Sequence, residues 1–414
     1  MFSWLSAAST NIGGRQRQED EVVAIPDLNK HVPQMAELDR AITRSYFAVF
    51  DGHGGPAASS FLAKKFHVAL AKNPLLRSDP KAALMDVWKS MDTEIYSILA
   101  QRHRENTARA NSRANNNNAG GNGTSTEKVP FPRDGSTATV LLLVGNKLFA
   151  ANCGDSSGVL VKKDGSVRAI TKNHDTLDKG EFERIRQLGG FYRKQMLRMP
   201  RRWPWCCLLQ DVVVGKPRVY PGGLLVTRAF GDFSAKLVEL GGTPGVILPD
   251  CEEVLEMTIE EDWSEVVIAS DGVWDVFSTE EMAMLLARLE GQGAAMAAVR
   301  SAVNSNTTNN TTNTNKTNDT NYNNGSVPAP DATVNDTDSD TDILRLRQAQ
   351  LNGTCAKLIW ACVRHRYWEM NQAAADNASA VILRFHPLRS LERSSKESSE
   401  GSREGGGACA QQTV

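Results

Sequence analysis

Residues 45–55 read Ser-Tyr-Phe-Ala-Val-Phe-Asp-Gly-His-Gly-Gly. Ser45 to Phe50 is aromatic and branched, as buried strands are, and it runs without a break into Asp51-Gly52. The same arrangement recurs at Cys153-Gly154-Asp155, behind the apolar run Leu148 to Asn152, and at Ser270-Asp271-Gly272, behind Val266 to Ala269. Asp376 stands just ahead of a further apolar run, Ala380 to Phe385, and Glu19-Asp20 adds carboxylates near the start. One Asp-Gly pair is ordinary turn composition. Three behind predicted strands, joined by Asp376, favour a shared site for hard cations, which take oxygen ligands and are best held by short side chains on rigid strand ends. The glycine beside each aspartate lets the backbone turn sharply, so that a carbonyl oxygen can also become a ligand. Burying such a cluster without a cation costs several kcal/mol per carboxylate, or forces protonation.

Outward from these strand ends, further strands are predicted at Ala138 to Val144, Gly158 to Val161 and Leu224 to Thr227. Helical periodicity marks Pro56 to Lys72 and Lys81 to Arg102, the latter carrying Leu84, Val87, Trp88, Met91, Ile95 and Leu99 on one face. A third helix, Lys179 to Leu188, stops at Gly189-Gly190, a fourth opens at Ser278 with Glu281 three residues on, and a fifth covers Ile343 to Met370. Strands follow strands through short turns and helices come in pairs, so the class is α+β with helix-covered antiparallel sheets rather than alternating βα units.

The 414 residues include two Asn-rich tracts, 106–126 and 304–342, and a Ser/Glu/Gly-rich end, 387–414. These are expected to be disordered insertions and a disordered tail around one domain, 1–386. Lys plus Arg number 47 against 48 Asp plus Glu, for a net charge of −1. That balance excludes a global basic field for nucleic acid or anionic membrane. The seven cysteines form no CxxC pair, and no apolar run approaches the ~18 residues of a membrane span. A reducing, intracellular compartment is expected, cytoplasmic and also nuclear. No GxxxxGK[ST] loop, HExxH pair or GxSxG elbow occurs, and no cysteine has arginine six positions on.

The chain resembles the metal-dependent protein phosphatases of type 2C. The resemblance rests on Arg15-Gln-Arg-Gln-Glu19-Asp20, on Tyr46 to Gly55, on Asp134-Gly-Ser-Thr-Ala-Thr139 and on Asn152-Cys-Gly-Asp155-Ser. It continues through Thr227-Arg-Ala-Phe-Gly-Asp232, Ala269-Ser-Asp271-Gly-Val-Trp-Asp275 and Asp376-Asn377, in the family's order. It implies an α-β-β-α sandwich of two antiparallel sheets flanked by helix pairs. By position it implies that Asp51 bridges two magnesium or manganese ions, that the Gly52 carbonyl and Glu19 complete one site, and that Asp271 and Asp376 bind the other. Asp155 is then the carboxylate that helps hold a third, weaker ion. Arg15 matches the phosphate-binding arginine, and His53 the general acid; read without the match, Arg15 is a surface arginine and His53 a turn residue. His174 also matches a family position and is read as structural. The reaction implied is hydrolysis of phosphoserine and phosphothreonine in proteins by a metal-bridged hydroxide, with no covalent phosphoenzyme. The partners implied are phosphorylated proteins, with no nucleic acid or stable membrane association, and the chain is expected to be a monomer.

The match departs at Ser157 and Ala378 and, more widely, across a flap at 190–218 that contains Met199-Pro-Arg-Arg-Trp-Pro-Trp-Cys-Cys-Leu-Leu209. That stretch is either a partner- or membrane-contacting patch or an insertion packing its own tryptophans on the sheet edge, the second being preferred. A scaffold that keeps the fold without catalysis would have lost metal aspartates, and none is missing. An interaction protein organised by the Asn/Thr tracts finds no aromatic or charged pattern in them.

Overall fold

The computed structural model describes residues 2–31, 42–117, 129–200, 209–291, 339–366 and 375–387. The chain opens with β1 (Phe2–Asn11), β2 (Glu21–Ile25), a short α1 (Leu28–His31), β3 (Arg44–Phe50) and β4 (Gly52–His53). Helices α2 (Ala57–Lys72) and α3 (Pro80–Asn117) follow, then β5 (Gly135–Ser136), β6 (Ala138–Val144), β7 (Lys147–Cys153), β8 (Ser157–Lys162) and β9 (Val167–Ala169). Next come α4 (Lys179–Gln187), a hairpin of β10 (Phe191–Pro200) and β11 (Leu209–Tyr220), β12 (Phe230–Gly231) and α5 (Phe233–Lys236). The described elements close with β13 (Val254–Thr258), β14 (Trp263–Ala269), α6 (Asp271–Trp274), α7 (279–291), α8 (Ser339–Arg364) and β15 (Ala378–Pro387).

Two five-stranded sheets, ordered β1-β15-β14-β8-β9 and β13-β7-β6-β3-β2, carry the fold, and neighbouring strands within them pair antiparallel. Side-chain alternation along each strand divides the apolar residues between layers. On β3, Phe47 and Val49 join Leu141, Leu160, Val266 and Leu383 between the sheets. Tyr46, Ala48 and Phe50 face the other way, onto Leu62, Phe66, Trp88 and Met91 of α2 and α3. On β15, Val381 and Leu383 face the inter-sheet core, whereas Ala380 and Ile382 meet Leu351, Cys355, Leu358 and Cys362 of α8. Four layers, helix on sheet on sheet on helix, result, and strands buried on both faces read as continuous apolar runs. The expected α+β sandwich is the observed one.

The predicted helices form with their caps. Ser278 Oγ accepts from Glu281 N at 3.2 Å while Glu281 Oε2 accepts from Ser278 N at 2.9 Å, the reciprocal capping box that opens α7. Asp178 caps α4 by accepting from Gly180 N and Glu181 N, and Gly189, at φ 81°, ends it. Three features differ from the sequence reading. Helix α3 runs through 106–117, into the first tract expected as an insertion, because Gln101 to Ala114 is rich in Arg and Ala, good helix formers. Leu224 to Thr227 is not a strand: Val219 and Leu224 form a single bridge around the turn Tyr220-Pro221-Gly222-Gly223, and Val226 bridges to Asp175. The first ten residues of the described chain, poor in β-branched side chains, form β1 and pair with β15 from Phe2↔Pro387 to Asn11↔Ala378. The flap is the β10–β11 hairpin; its 201–208 stretch, with Trp203, Trp205, Cys206 and Cys207, lies outside the described residues, as do 118–126, 304–338 and 388–414. Among the described residues no helix is long and apolar enough to cross a membrane.

Candidate active site

The strand ends open into one cleft of about 550 Å³, lined among others by Arg15, Glu19, Asp51, Gly52, His53, Asp155, Asp271 and Asp376. All eight sequence-predicted site residues therefore line the same space. Asp51 arrives on the end of β3, Gly52 and His53 form β4, Asp155 follows β7, Asp271 opens α6 after β14, and Asp376 precedes β15.

Backbone contacts hold these ends in place. Asp51 N donates to Thr137 Oγ1 at 3.1 Å and Thr137 N to the Asp51 carbonyl at 2.8 Å, while the Thr137 hydroxyl shares a 2.8 Å hydrogen bond with Ser156, next to Asp155. Ser59 Oγ donates to the Glu19 carbonyl at 2.5 Å, and Glu19 N donates to Asn377 Oδ1 at 2.9 Å. Asn377 Nδ2 reaches the carbonyls of Ile12 and Arg17, so this one amide ties the loop bearing Arg15 and Glu19 to the start of β15. A Cβ at Gly52 would collide with the Glu19 carbonyl and come within 2.6 Å of Ser59 Oγ. Only glycine permits that approach.

The electrostatics are those of an under-compensated acid cluster. Burial, followed by the charges of Asp20, Asp271, Asp155 and Asp376, pushes the Asp51 carboxyl well above its ordinary range. Asp271 is raised likewise by burial and then by Asp155, Asp376 and Asp275. Burial lifts Asp155 to about 6 against a hydrogen bond from its own backbone and the nearby charges of His53 and Lys216. Asp20 also reaches about 6 through burial, although Ser379 and Ser270 hydrogen bonds oppose it. Arg15, Arg17 and Arg218 line the same cleft; Arg15 Nη2 lies 2.6 Å from Asp376 Oδ2, and Lys216 of the flap lies 3.2 Å from Asp275 Oδ1. Asp376 is thus held by Arg15 and, through Oδ1, by Asn377 N at 2.8 Å.

His53 Nε2 lies 2.7 Å from Asp232 Oδ2. Burial lowers the affinity of this imidazole for a proton, but the Asp232 charge and hydrogen bond outweigh it, and the pKa is raised. Asp232 itself sits at φ 50°, a left-handed conformation rare for a residue with a Cβ.

Among the described residues no three His, Cys, Asp or Glu side chains are gathered tightly enough to cage an ion by themselves. The donor chemistry nonetheless fits a hard divalent cation: the cleft gathers the carboxylates of Glu19, Asp51, Asp155, Asp271 and Asp376, whose mutual repulsion a cation would relieve.

Three contributors went unassigned in the sequence. Asp232 was quoted in Thr227 to Asp232 but given no role; Asp20 was set beside Glu19, yet it is the buried one, accepting from Ser270 Oγ at 3.0 Å. Thr137, in Asp134 to Thr139, orients Asp51. Their signal was membership of a motif without a partner named. His174 is 2% exposed; its backbone N–H donates to the Gly154 carbonyl at 2.8 Å, and its pKa is lowered to about 4 by burial and then Arg228.

The chain is a sandwich of two antiparallel sheets, sheathed by helices, with aspartates gathered at one edge. The family model for protein phosphatase 2C matches residues 5–311, and the chain belongs to that family. "Probable protein phosphatase 2C 59" of Oryza sativa subsp. japonica is 30% identical over 262 residues, covering 63% of this chain and 62% of the relative. "Probable protein phosphatase 2C member 13, mitochondrial", from the same organism, is 31% identical over 258 residues, covering 62% and 54%. The chain thus spans a little over half of the length of these curated relatives. In fold it is similar to a serine-threonine phosphatase 2C from Toxoplasma gondii, with a TM-score of 0.54 at 18% identity, covering 92% of this chain and 94% of that one. A sex-determining protein of C. elegans gives a TM-score of 0.53 at 20% identity, covering 94% and 66%.

Proposed function

We propose that this chain is a protein-serine/threonine phosphatase that uses magnesium or manganese, two ions in the core site and a third held more weakly. The observation that carries the reading is the acidic cluster, with its raised carboxyl pKa values, in the same cleft as Arg15 and His53. Asp51, the Gly52 carbonyl, Glu19, Asp271 and Asp376 would hold the core pair, and Asp155 the third ion. When bound, the cations lower the pKa of water and offset charge on the phosphoryl group, so a protein nucleophile is unnecessary.

The remaining work falls to side chains of this chain. Arg15 is half exposed at the cleft mouth, and its guanidinium offers further N–H groups to phosphoryl oxygens beyond the one on Asp376. His53 donates a proton to the departing serine or threonine oxygen, and Asp232 keeps it charged for that step. Thr137 and Asn377 hold the strand end of Asp51 and the loop bearing Arg15 and Glu19. The substrates are phosphorylated proteins.

The test is hydrolysis of a phosphothreonine peptide with manganese and with chelator. Turnover that survives chelation would remove the reading. Asp232→Asn is expected to lower kcat by ~10- to 100-fold and, because the raised pKa of His53 depends on this carboxylate, to move the alkaline limb of the pH profile to lower pH. An unmoved limb would free His53 from its assigned role.

A further inference from the structure

The sandwich has a second opening, away from the acid cluster, where the two sheets end in the edge strands β9 and β13. It forms a cleft of about 500 Å³, in the size range of small-molecule sites. Its apolar lining is Ala150, Ala169, Ile170 and Leu255, the first and third nearly inaccessible and belonging to the inter-sheet core.

The polar lining is arranged by sign. Arg168 stands on the β9 lip and Glu253 on the opposite lip, immediately before β13, and among the described residues neither has an ion-pair partner. Lys172 and Glu252, also at the rim, are spent on each other at 2.7 Å. Deeper in lies His174. Its Nδ1 accepts from Gly154 N at 3.4 Å, so the ring hydrogen sits on Nε2, which has no hydrogen-bond partner; the carboxylate of Glu252 is 3.8 Å away, beyond reach. A donor on a residue only 2% exposed, facing a cleft and unmet, calls for an acceptor oxygen brought from outside.

We infer that this cleft binds a small zwitterion with an apolar body, an aliphatic α-amino acid being the class that fits. The carboxylate of the ligand meets Arg168 and the Nε2–H of His174, the ammonium meets Glu253, and the side chain covers Ala169 and Leu255. A simple anion would leave Glu253 opposing it, and a simple cation would leave Arg168 and the imidazole donor unmet. The site does not depend on the phosphatase reading.

The test uses the full chain saturated with manganese and L-leucine as the probe, followed by calorimetry. Two analogues each lack one charge: 4-methylpentanoate has no ammonium and isoamylamine no carboxylate. L-Leucine is expected to saturate one site, and each analogue to bind at least ~10-fold more weakly, the worth of one charge-assisted hydrogen bond. Arg168→Ala should shrink the advantage of leucine over isoamylamine, leaving the part due to His174, and Glu253→Ala should erase its advantage over 4-methylpentanoate. Both residues are exposed, so the variants retain the fold, which circular dichroism checks. Absence of leucine binding, equal binding of the three compounds, or leucine binding indifferent to both substitutions (as carboxylate capture by the bound metal would be) overturns the inference.

Discussion

Asp51→Asn is expected to abolish manganese-dependent phosphatase turnover, by ~10³-fold or more, and at the same time to stabilise the chelator-treated protein. The two effects share one cause. Asp51 sits amid Asp20, Asp155, Asp271 and Asp376, and its ionised form is disfavoured by burial and by those charges. An amide removes that cost while keeping the shape. A variant that loses activity and also loses metal-free stability would show that Asp51 is a structural residue. The same electrostatics set a pH dependence. In the metal-free folded state Asp20 and Asp155 hold their protons up to about 6, whereas their reference value is 3.8. Folded carboxyls raised in this way bind more protons than the unfolded chain does between those values, so metal-free stability falls as pH rises through that window. Bound cations would keep the same groups ionised at little cost. The gap in Tm between manganese-saturated and chelated protein is therefore expected to widen from pH 5 to pH 7. A constant gap would mean that the cluster is not where the ions bind.

Gly272→Ala is expected to cost ~3 kcal/mol or more and to reduce turnover even at saturating manganese. In a helix, glycine to alanine is ordinarily worth ~1 kcal/mol of stabilisation, so the sign separates the local from the tertiary effect. Gly272, the second residue of α6, lies beside the start of β15: an added Cβ would collide with the Asn377 carbonyl oxygen and meet Asn377 C at 2.9 Å and Ala378 Cα at 3.0 Å. All three are backbone atoms and cannot swing aside. Relief requires α6 and β15 to separate, and these carry Asp271 and lie next to Asp376. Denaturant titration measures the first effect and kcat the second; a variant as stable as the parent would show that the two backbones are not in the contact described.

What could be read from residues alone followed burial. Strands β3, β6, β7, β14 and β15 were legible because both of their faces are buried, leaving unbroken apolar runs such as Ala138 to Val144. Strand β1 was not, since Ser, Ala and Thr alternate along it and its pairing with β15 depends on residues far away in the chain. Leu224 to Thr227 has strand composition, but with a Pro-Gly-Gly turn directly before it the stretch makes isolated bridges at Leu224 and Val226 rather than a ladder, and Leu225 and Val226 line the main cleft. In the site, carboxylates next to glycine were visible because their spacing relative to apolar runs repeats. Asp232 was invisible in its role: nothing local to Phe230-Gly231-Asp232 says that its side chain meets His53, 179 positions earlier.

The ladder joining β1 to β15 also bears on how the molecule comes into being. Arg15 lies four residues past one end of that ladder, and Asp376 two residues before the start of its partner strand. On a ribosome the first strand must wait, unpaired on this flank, for the partner strand to emerge. Nascent chains therefore carry most of the acidic residues early but complete the pocket late, so on the proposed activity the order of synthesis by itself would keep unfinished protein from acting on phosphate esters.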